Sequence, residues 1–381
     1  MNWYSGGTSL YRRNISLKYT AVLNKDIKRQ RENKLKAMKK TLLITSIGCL
    51  LSFTVLSQAK PFYTQYILNN YILNPAITGI ENYTDVKASY RNQWAGITGA
   101  PVTTYLTIHA PLGKRDFRTG ANSFAVPGQN PAGPKAWDEY AVSQPHHGIG
   151  LTAINDKTGY INRWSIAANY AYHRPLTAKT SISAGLSAGI TSVNLDRSKI
   201  EWGNLDPNDP AIGISNGEIK KIKPEIGAGL WLYSARYFVG VSVLNIIPGK
   251  AKFVTDDKYG SSYTLNYFAT AGYKFAISEQ ITALPSVMVQ YWQPQLLGVH
   301  ANLKLQYEDF LWIGGSYRFA DLVGGYSGMI GLNISNTVNI SYAYEQATTS
   351  RLQTYTKGTH EVMLGFVLGN RYKETCPRCA W

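Results

Sequence analysis

From about residue 83 onward, apolar and polar positions alternate with a period of two in run after run, as in strands that have one face in a nonpolar medium and the other against polar groups. In the earliest run Val86, Ala88, Tyr90, Asn92 and Trp94 fall on one side, and Asp85, Lys87, Ser89, Arg91 and Gln93 on the other. Further on, Trp164, Ile166, Ala168, Tyr170 and Tyr172 alternate with Ser165, Ala167, Asn169, Ala171 and His173, and the same holds from Tyr263 to Phe275, Val338 to Glu345 and Val362 to Leu368. About fourteen runs can be counted, near residues 83, 101, 147, 162, 179, 222, 236, 262, 280, 299, 310, 324, 337 and 358. Short polar turns separate most of them, and Tyr307–Phe310 and Leu332–Val338 read as hairpins.

Run length and number decide the fold class. No stretch beyond residue 60 holds 18 consecutive apolar residues, so no membrane helix is expected there. Strands of roughly 9 to 11 tilted residues cross an outer membrane, and bacterial barrels use an even number of them. The pattern predicts an all-β chain: a transmembrane antiparallel β-barrel of outer-membrane type with about 14 strands, over residues 83–369. A soluble sandwich or propeller also has many strands, but its strands usually run about 5 to 6 residues. Here the runs are often about 11 to 14 residues long. The 27 Tyr and 9 Trp cluster near run ends, at Trp94, Trp164, Trp231, Tyr233, Tyr291, Trp292 and Trp312, which predicts aromatic girdles. Glycines inside the runs, such as Gly185, Gly189, Gly227, Gly229 and Gly240, are expected to relieve the curvature of a large sheet. Two insertions, Gly113–His146 and Asn194–Lys221, are rich in Pro, Gly, Asn and Asp and are expected to form long outward-facing loops.

Residues 60–82, ahead of the first run, break the pattern. From Phe62 to Asn74 the chain is aromatic, amide-rich and uncharged, and Asn74–Pro75 interrupts it, because the residue before a proline is pushed out of the helical region. Such a stretch can lie in a barrel lumen as a plug, with Asn69, Asn70 and Asn74 satisfying polar walls, or form a periplasmic extension that helps close the barrel.

Composition alters the picture at the two termini. Residues 38–59 carry two lysines, an apolar run from Leu42 to Leu56 and small residues at Ser57 and Ala59, the layout of a secretory signal peptide cleaved near Ala59. Residues 1–37 lie upstream of that leader and read as an over-extended start. Residues 1–59 hold eleven of the 39 basic and two of the 23 acidic side chains, which leaves 28 against 21. The formal charge of +16 therefore gives no reason to expect nucleic acid. At the far end, residues 370–381 form a tail in which Cys376 and Cys379 make one pair, suited to a local disulfide rather than to zinc, which takes four ligands.

Nothing in the sequence assembles a catalytic or metal site. His146 and His147, near Asp138 and Glu139, match no ligand spacing and read as solvated loop residues. His109, His173, His300 and His360 fall in or beside strands with no Ser or Cys nucleophile at a recognisable spacing. The glycine-rich stretch from Gly314 lacks the Lys-Ser/Thr and the helix of a phosphate cradle. No enzyme activity, cofactor or metal is expected.

The order FYTQYILNNYILNPAITG, then ASYRNQW, IGAGLWLYSARYFVGVSVLNI, GGSYRFADLVGGYSGMIGLNISNTVNISYAYE and GTHEVMLGF resembles the PorP/SprF family, outer-membrane proteins of the type IX secretion system in Bacteroidetes. The resemblance covers residues 61–369. It implies a non-catalytic barrel in contact with outer-membrane lipid and type IX secretion components, which aids secretion or surface anchoring of a large secreted surface protein such as a gliding adhesin. By position it carries over Tyr63, Gln65, Tyr66, Asn69, Asn74, Pro75, Arg91 and Trp94 as partner or plug candidates, together with Gly79, Tyr90, Gly358, His360 and Glu361. The alternative is an outer-membrane transporter of small hydrophobic molecules, which a plugged barrel of this size would also suit. Lys87, Arg91, Lys304, Glu308 and Arg318, read as inward-facing, make the lumen too polar for that role to be preferred.

Overall fold

The computed structural model describes residues 63–114, 142–196, 218–247, 249–252, 260–263, 265–292, 296–308, 310–320, 324–335, 337–348 and 350–369. The expected leader and the residues upstream of it, most of both insertions and the tail with Cys376 and Cys379 lie outside the described residues. The strands are β1 (Thr84–Asn92), β2 (Val102–Leu112), β3 (His146–Thr158), β4 (Ile161–Thr177), β5 (Thr180–Asp196), β6 (Glu218–Tyr233), β7 (Tyr237–Leu244), β8 (Gly249–Lys252), β9 (Gly260–Tyr263), β10 (Asn266–Tyr273), β11 (Phe275–Ala276), β12 (Ile281–Trp292), β13 (Leu296–Tyr307), β14 (Leu311–Ala320), β15 (Gly325–Asn333), β16 (Val338–Ala347) and β17 (Thr359–Leu368). One short helix, α1 (Ser350–Tyr355), precedes β17.

β8 and β9 pair only with each other. β10 and β11 both pair with β12 and are separated by Lys274 alone, so they form one interrupted strand. Fourteen antiparallel strands therefore run in sequence order, and β1 closes on β17 through nine register pairs, from Thr84↔Leu368 to Asn92↔His360. Closure leaves no open sheet edge through the membrane, the condition for β structure in lipid.

The strand prolines explain where the ladders fail, since proline has no N–H to donate. Pro285 lies opposite the break between β10 and β11, and Pro175 marks the register shift of β4. Pro111 and Pro224 lie beyond the last residues that β2 shares with β1 and β6 shares with β7.

The alternation has a plain physical meaning. Leu106, Leu151, Ile166, Leu186, Leu230, Val241, Leu303 and Ile330 point outward and are exposed, as side chains facing lipid would be. Their neighbours Tyr105, Thr107, Ser187, Trp231, Ser242, Asn302 and Lys304 point inward and are buried. Four of the expected girdle residues belong to this inner face: Trp231, Tyr233, Trp292 and Trp312 are buried, Trp231 stacking on Phe238 with ring centroids 5.1 Å apart. Trp164 is exposed on the outer face, as are Tyr90, Tyr273, Phe275, Tyr307, Tyr317 and Tyr342.

An up-and-down meander sorts its connections to two ends. At one, the turn end, β4–β5, β6–β7, β11–β12, β13–β14 and β15–β16 are joined by two to four residues, and the free ends Thr84 and Leu368 meet. At the other, the loop end, lie the longer connections between β1 and β2, β5 and β6, β7 and β10, and β16 and β17. The two insertions therefore leave the barrel at opposite ends. The first departs after Leu112 at the turn end and the second after Asp196 at the loop end, so a shared outward position for both does not hold.

Candidate functional site in the lumen

The core of the protein is the contact between the barrel wall and residues 63–80. Three single-turn 3-10 helices, Tyr66–Leu68, Asn70–Ile72 and Pro75–Ile77, fold this segment into a compact rod, and every residue from Thr64 to Ile80 is buried. Its apolar side chains divide between two clusters. Tyr66, Ile67, Leu68, Ile72 and Leu73 pack with inward residues such as Tyr105, Met288, Met329 and Met363, and Tyr71, Ala76, Ile77 and Ile80 with Trp231, Tyr233 and Phe238.

At the loop end an ionic clamp holds the rod. Arg91 is 1 % exposed and directly opposite Glu361 in the β1–β17 register, with Nε 3.5 Å from Glu361 Oε2 and Nη2 3.4 Å from Glu345 Oε2. Arg318 of β14 pairs with the other oxygen of Glu345. Two guanidiniums thus face two carboxylates, and Thr64 completes the set. Its backbone N–H donates to Glu361 (2.9 Å) and its hydroxyl to Glu345 (2.6 Å). Gln65 donates to the carbonyl of Glu361 (2.8 Å) and accepts from the Ser341 hydroxyl. Buried charges persist only when paired and hydrogen-bonded, so these partners exist for one another.

Midway along, neutral polar groups take over. Asn69 donates to Thr107 (3.0 Å), Asn302 donates to the Tyr66 hydroxyl, and Asn169 donates to the Tyr71 hydroxyl (2.5 Å). His300 meets the Tyr66 ring edge-on at 5.7 Å. Tyr63 packs edge-on against Tyr105 at 5.5 Å.

Near the turn end Asn74 anchors the rod. Its Oδ1 accepts the Ala76 N–H (2.9 Å) and caps the turn that Pro75 opens, while its Nδ2 donates to the carbonyls of Leu230 (3.1 Å) and Val241 (3.2 Å). Ser242 and Ser183 donate to the carbonyls of Leu73 and Ala76, each at 2.6 Å. This fit needs glycine on the wall. A Cβ on Gly229 would lie 2.0 Å from Asn74 Oδ1, and one on Gly185 2.4 Å from the Ala76 nitrogen, so these residues make room for the rod rather than for sheet curvature. The exit is equally tight: Gly79, at φ +73, crosses β3 where a Cβ on Gly148 would fall 1.9 Å from the Thr78 carbonyl oxygen.

Histidines line that exit. His173 Nε2 donates to the Thr78 carbonyl (2.8 Å), and His109 Nδ1 accepts the Gly79 N–H (3.3 Å). His146 begins β3, is buried, and stacks on His173 at 4.5 Å with rings 2° from parallel. The expectation of two solvated loop histidines therefore fails in position for both, which lie in β3, and in burial for His146. His147 points outward, where its Nδ1 lies 2.6 Å from the Tyr170 hydroxyl.

Of the candidates carried over by resemblance, the lumen brings together Tyr63, Gln65, Tyr66, Asn69, Asn74, Pro75 and Arg91. Trp94 lies elsewhere, in the β1–β2 connection at φ 54, where its backbone N–H donates to Thr359. Glu308 is also displaced, sitting in the β13–β14 turn at φ 48 instead of on an inward face. Thr64, Glu345, Asn169, His173, Asn302 and the wall glycines escaped sequence reasoning. Glu345 and Arg318 had one legible signal, being charges on the inner phase of strands that otherwise alternate apolar and small polar residues.

A cavity of about 80 Å³ remains beside the rod, lined among others by Tyr63, Tyr66, Asn169, Glu225, Phe268 and His300. Among the described residues no group of three or more His, Cys, Asp or Glu could hold a metal ion.

Residues 55–366 match the family described as type IX secretion system membrane protein PorP/SprF. No curated protein matches the chain. Solved structures similar to it include the toluene transporter TbuX of Ralstonia pickettii, at 13% identity and TM-score 0.42 over 80% of this chain and 92% of that one. The toluene transporter TodX of Pseudomonas putida gives 11% and 0.42 over 82% and 95%. The outer membrane protein Omp33 of Acinetobacter baumannii gives 9% and 0.41 over 76% and 100%.

Proposed function

The chain belongs to the type IX secretion system membrane protein PorP/SprF family and, as a closed barrel with an apolar outer face, resides in the outer membrane; on that premise we propose that it serves one large secreted protein, such as an adhesin, by helping it reach or stay on the cell surface. The observation that carries this reading is the rod of residues 63–80, tied to the wall at both ends and along its length. A lumen filled by the chain's own residues suits a scaffold that presents loops and termini to a partner. The candidates Tyr63, Gln65, Tyr66, Asn69, Asn74, Pro75 and Arg91 act in it as plug residues that keep the scaffold in one shape.

Passage of small hydrophobic molecules is the competing reading. A cavity of about 80 Å³ is about half the size of the roughly 150 Å³ apolar cavity that takes up benzene in another protein, and its lining mixes apolar groups with Asn169, Glu225 and His300. This supports the partner role over solute transport. The test is to replace Tyr63–Asn74 by a Gly/Ser linker of equal length and to follow surface display of type IX substrates in cells. One substrate should be lost from the surface while the barrel still folds and inserts. Unchanged display of every substrate would refute the proposal, and uptake of a labelled hydrocarbon into liposomes holding the intact protein would favour the transporter.

A further inference from the structure

One patch of the lipid-facing surface carries hydrogen-bond donors. Of the four arginines in described strands, Arg91, Arg163 and Arg318 fall on the inner phase, whereas Arg174 of β4 falls on the outer one and is exposed. Pro175 follows it and holds Arg174 extended, which keeps that phase to the end of the strand. Two residues back on the same face is Tyr172, directly opposite His147 of β3. Tyr172 and Tyr170 enclose the His147 ring, their centroids 5.0 and 5.8 Å from it. A phenol is a better donor than a neutral imidazole, and the imidazole nitrogen is the better acceptor. The Tyr170 hydroxyl therefore donates to Nδ1 across 2.6 Å, and the imidazole proton lies on Nε2. The ring is thus fixed in advance with Nε2–H as a donor, and Arg174, a diagonal neighbour across the two strands, adds a planar fork of N–H groups.

The neighbouring residues fix the depth of these donors. Tyr170 and Tyr172, like Tyr273, Phe275 and Tyr307 at the same end of other strands, are exposed aromatics of an interfacial girdle. Arg174 lies on the turn side of that girdle, and outer-membrane barrels keep their short turns periplasmic, so the donors sit among headgroups of the inner leaflet. On the other side, Ile149 and Leu186 flank Tyr170 in register and are 46 % and 61 % exposed, an apolar track for acyl chains. The strand ends around the donors are cationic. Residues 107–114, 142–149 and 172–182 include Lys114, Arg174 and Lys179 and no acidic side chain. A zwitterionic headgroup brings its own ammonium to this rim, whereas an anionic one brings only the opposite charge. We propose that His147 and Arg174, with Tyr172 between them, bind an anionic glycerophospholipid of the periplasmic leaflet, its phosphate on Nε2 and the guanidinium and its chains over Ile149 and Leu186. Such a site serves the barrel's seat in the membrane and does not depend on the export role.

The test uses the full-length protein in liposomes, with its three cysteines changed to serine and a bimane dye on a cysteine that replaces Ile149. Dioleoylphosphatidylglycerol or dioleoylphosphatidylcholine, carrying a nitroxide high on one acyl chain, quenches the dye when it occupies the patch. Phosphatidylglycerol should bind there at least about fivefold more tightly than phosphatidylcholine. A dye in place of Leu303, which is exposed on β13, should show less than about a twofold preference. Arg174→Gln and His147→Phe should each bring the preference at residue 149 below about twofold, with heat-modifiable migration on gels as proof of folding. Inorganic phosphate at constant ionic strength should leave it unchanged. Equal quenching by the two lipids at residue 149 would overturn the proposal, as would a preference that survives Arg174→Gln. A preference of equal size at residue 303 would mean a general effect of surface charge, and displacement by phosphate would mean a site for soluble anions; either result also overturns it.

Discussion

Replacing Asn74 separates the anchoring of the rod from the folding of the barrel. The side chain caps Ala76 and donates to Leu230 and Val241. Loss of an N-cap costs typically about 1 kcal/mol, and each neutral hydrogen bond contributes about 1 kcal/mol net. Asn74→Ala should therefore loosen the rod by about 3 kcal/mol, roughly a 100-fold rise in local opening, while the strand ladders stay closed. Asn74→Asp sharpens the argument. It keeps the cap acceptor but aims a second oxygen at two carbonyl oxygens that now lie 3.1 and 3.2 Å from the amide nitrogen. A buried carboxylate without a donor costs more than a lost hydrogen bond, so this near-isosteric change should open the rod further than alanine does. Amide exchange of residues 64–80 in nanodiscs measures the opening, and heat-modifiable migration on gels reports whether the barrel remains folded. If aspartate protects the rod as well as asparagine, or if alanine alters its exchange less than about threefold, Asn74 is not its anchor and the reasoning fails.

Three other outcomes test other parts of the structure. Glu361→Gln removes one charge from the clamp and should destabilise it by about 3 kcal/mol or more, seen as faster exchange at Thr64 and Gln65; an unchanged rate would mean that the ionic pairing is incidental. Gly148→Ala puts a methyl group where the Thr78 carbonyl lies and should force the exit apart by about 1 to 3 kcal/mol, with the loss concentrated at Thr78–Ile80; a variant with wild-type exchange there refutes the fit. A cysteine at Lys357 should react with a membrane-impermeant thiol reagent on intact cells and one at Lys179 only after permeabilisation, since outer-membrane barrels keep their short turns periplasmic; the reverse pattern would invert the orientation.

The strands were legible because lipid outside and polar groups inside impose a period of two. Expected starts near 83, 101 and 147 compare with Thr84, Val102 and His146. What lay inside the barrel was harder to read. An inward glycine that seats Asn74 and a glycine that relieves curvature look alike in sequence, and only the rod distinguishes them. Trp231, Trp292 and Trp312 stand near strand ends as girdle residues would, but their phase places them inward, a matter of parity that position alone does not reveal. His146 misled for a related reason: a loop-like composition precedes it, and burial came from stacking on His173, a partner 27 positions away. The ionic clamp joins Thr64 to Glu345 and Glu361, almost the full length of the barrel domain apart, which no local pattern encodes.

That clamp also bears on how the barrel is completed. β1 and β17 are the most distant strands in sequence, and bringing them together closes the largest loop in the molecule. Arg91 and Glu361 face each other across that seam. A slip of one residue would turn either the arginine or the glutamate toward lipid, because side chains alternate faces. Thr64 touches both carboxylates that neutralise Arg91, and the rod enters from the loop end while β1 starts at the turn end. The amino-terminal segment thus reads the register of the seam: Thr64 meets both carboxylates only where Arg91 and Glu361 stand opposite each other.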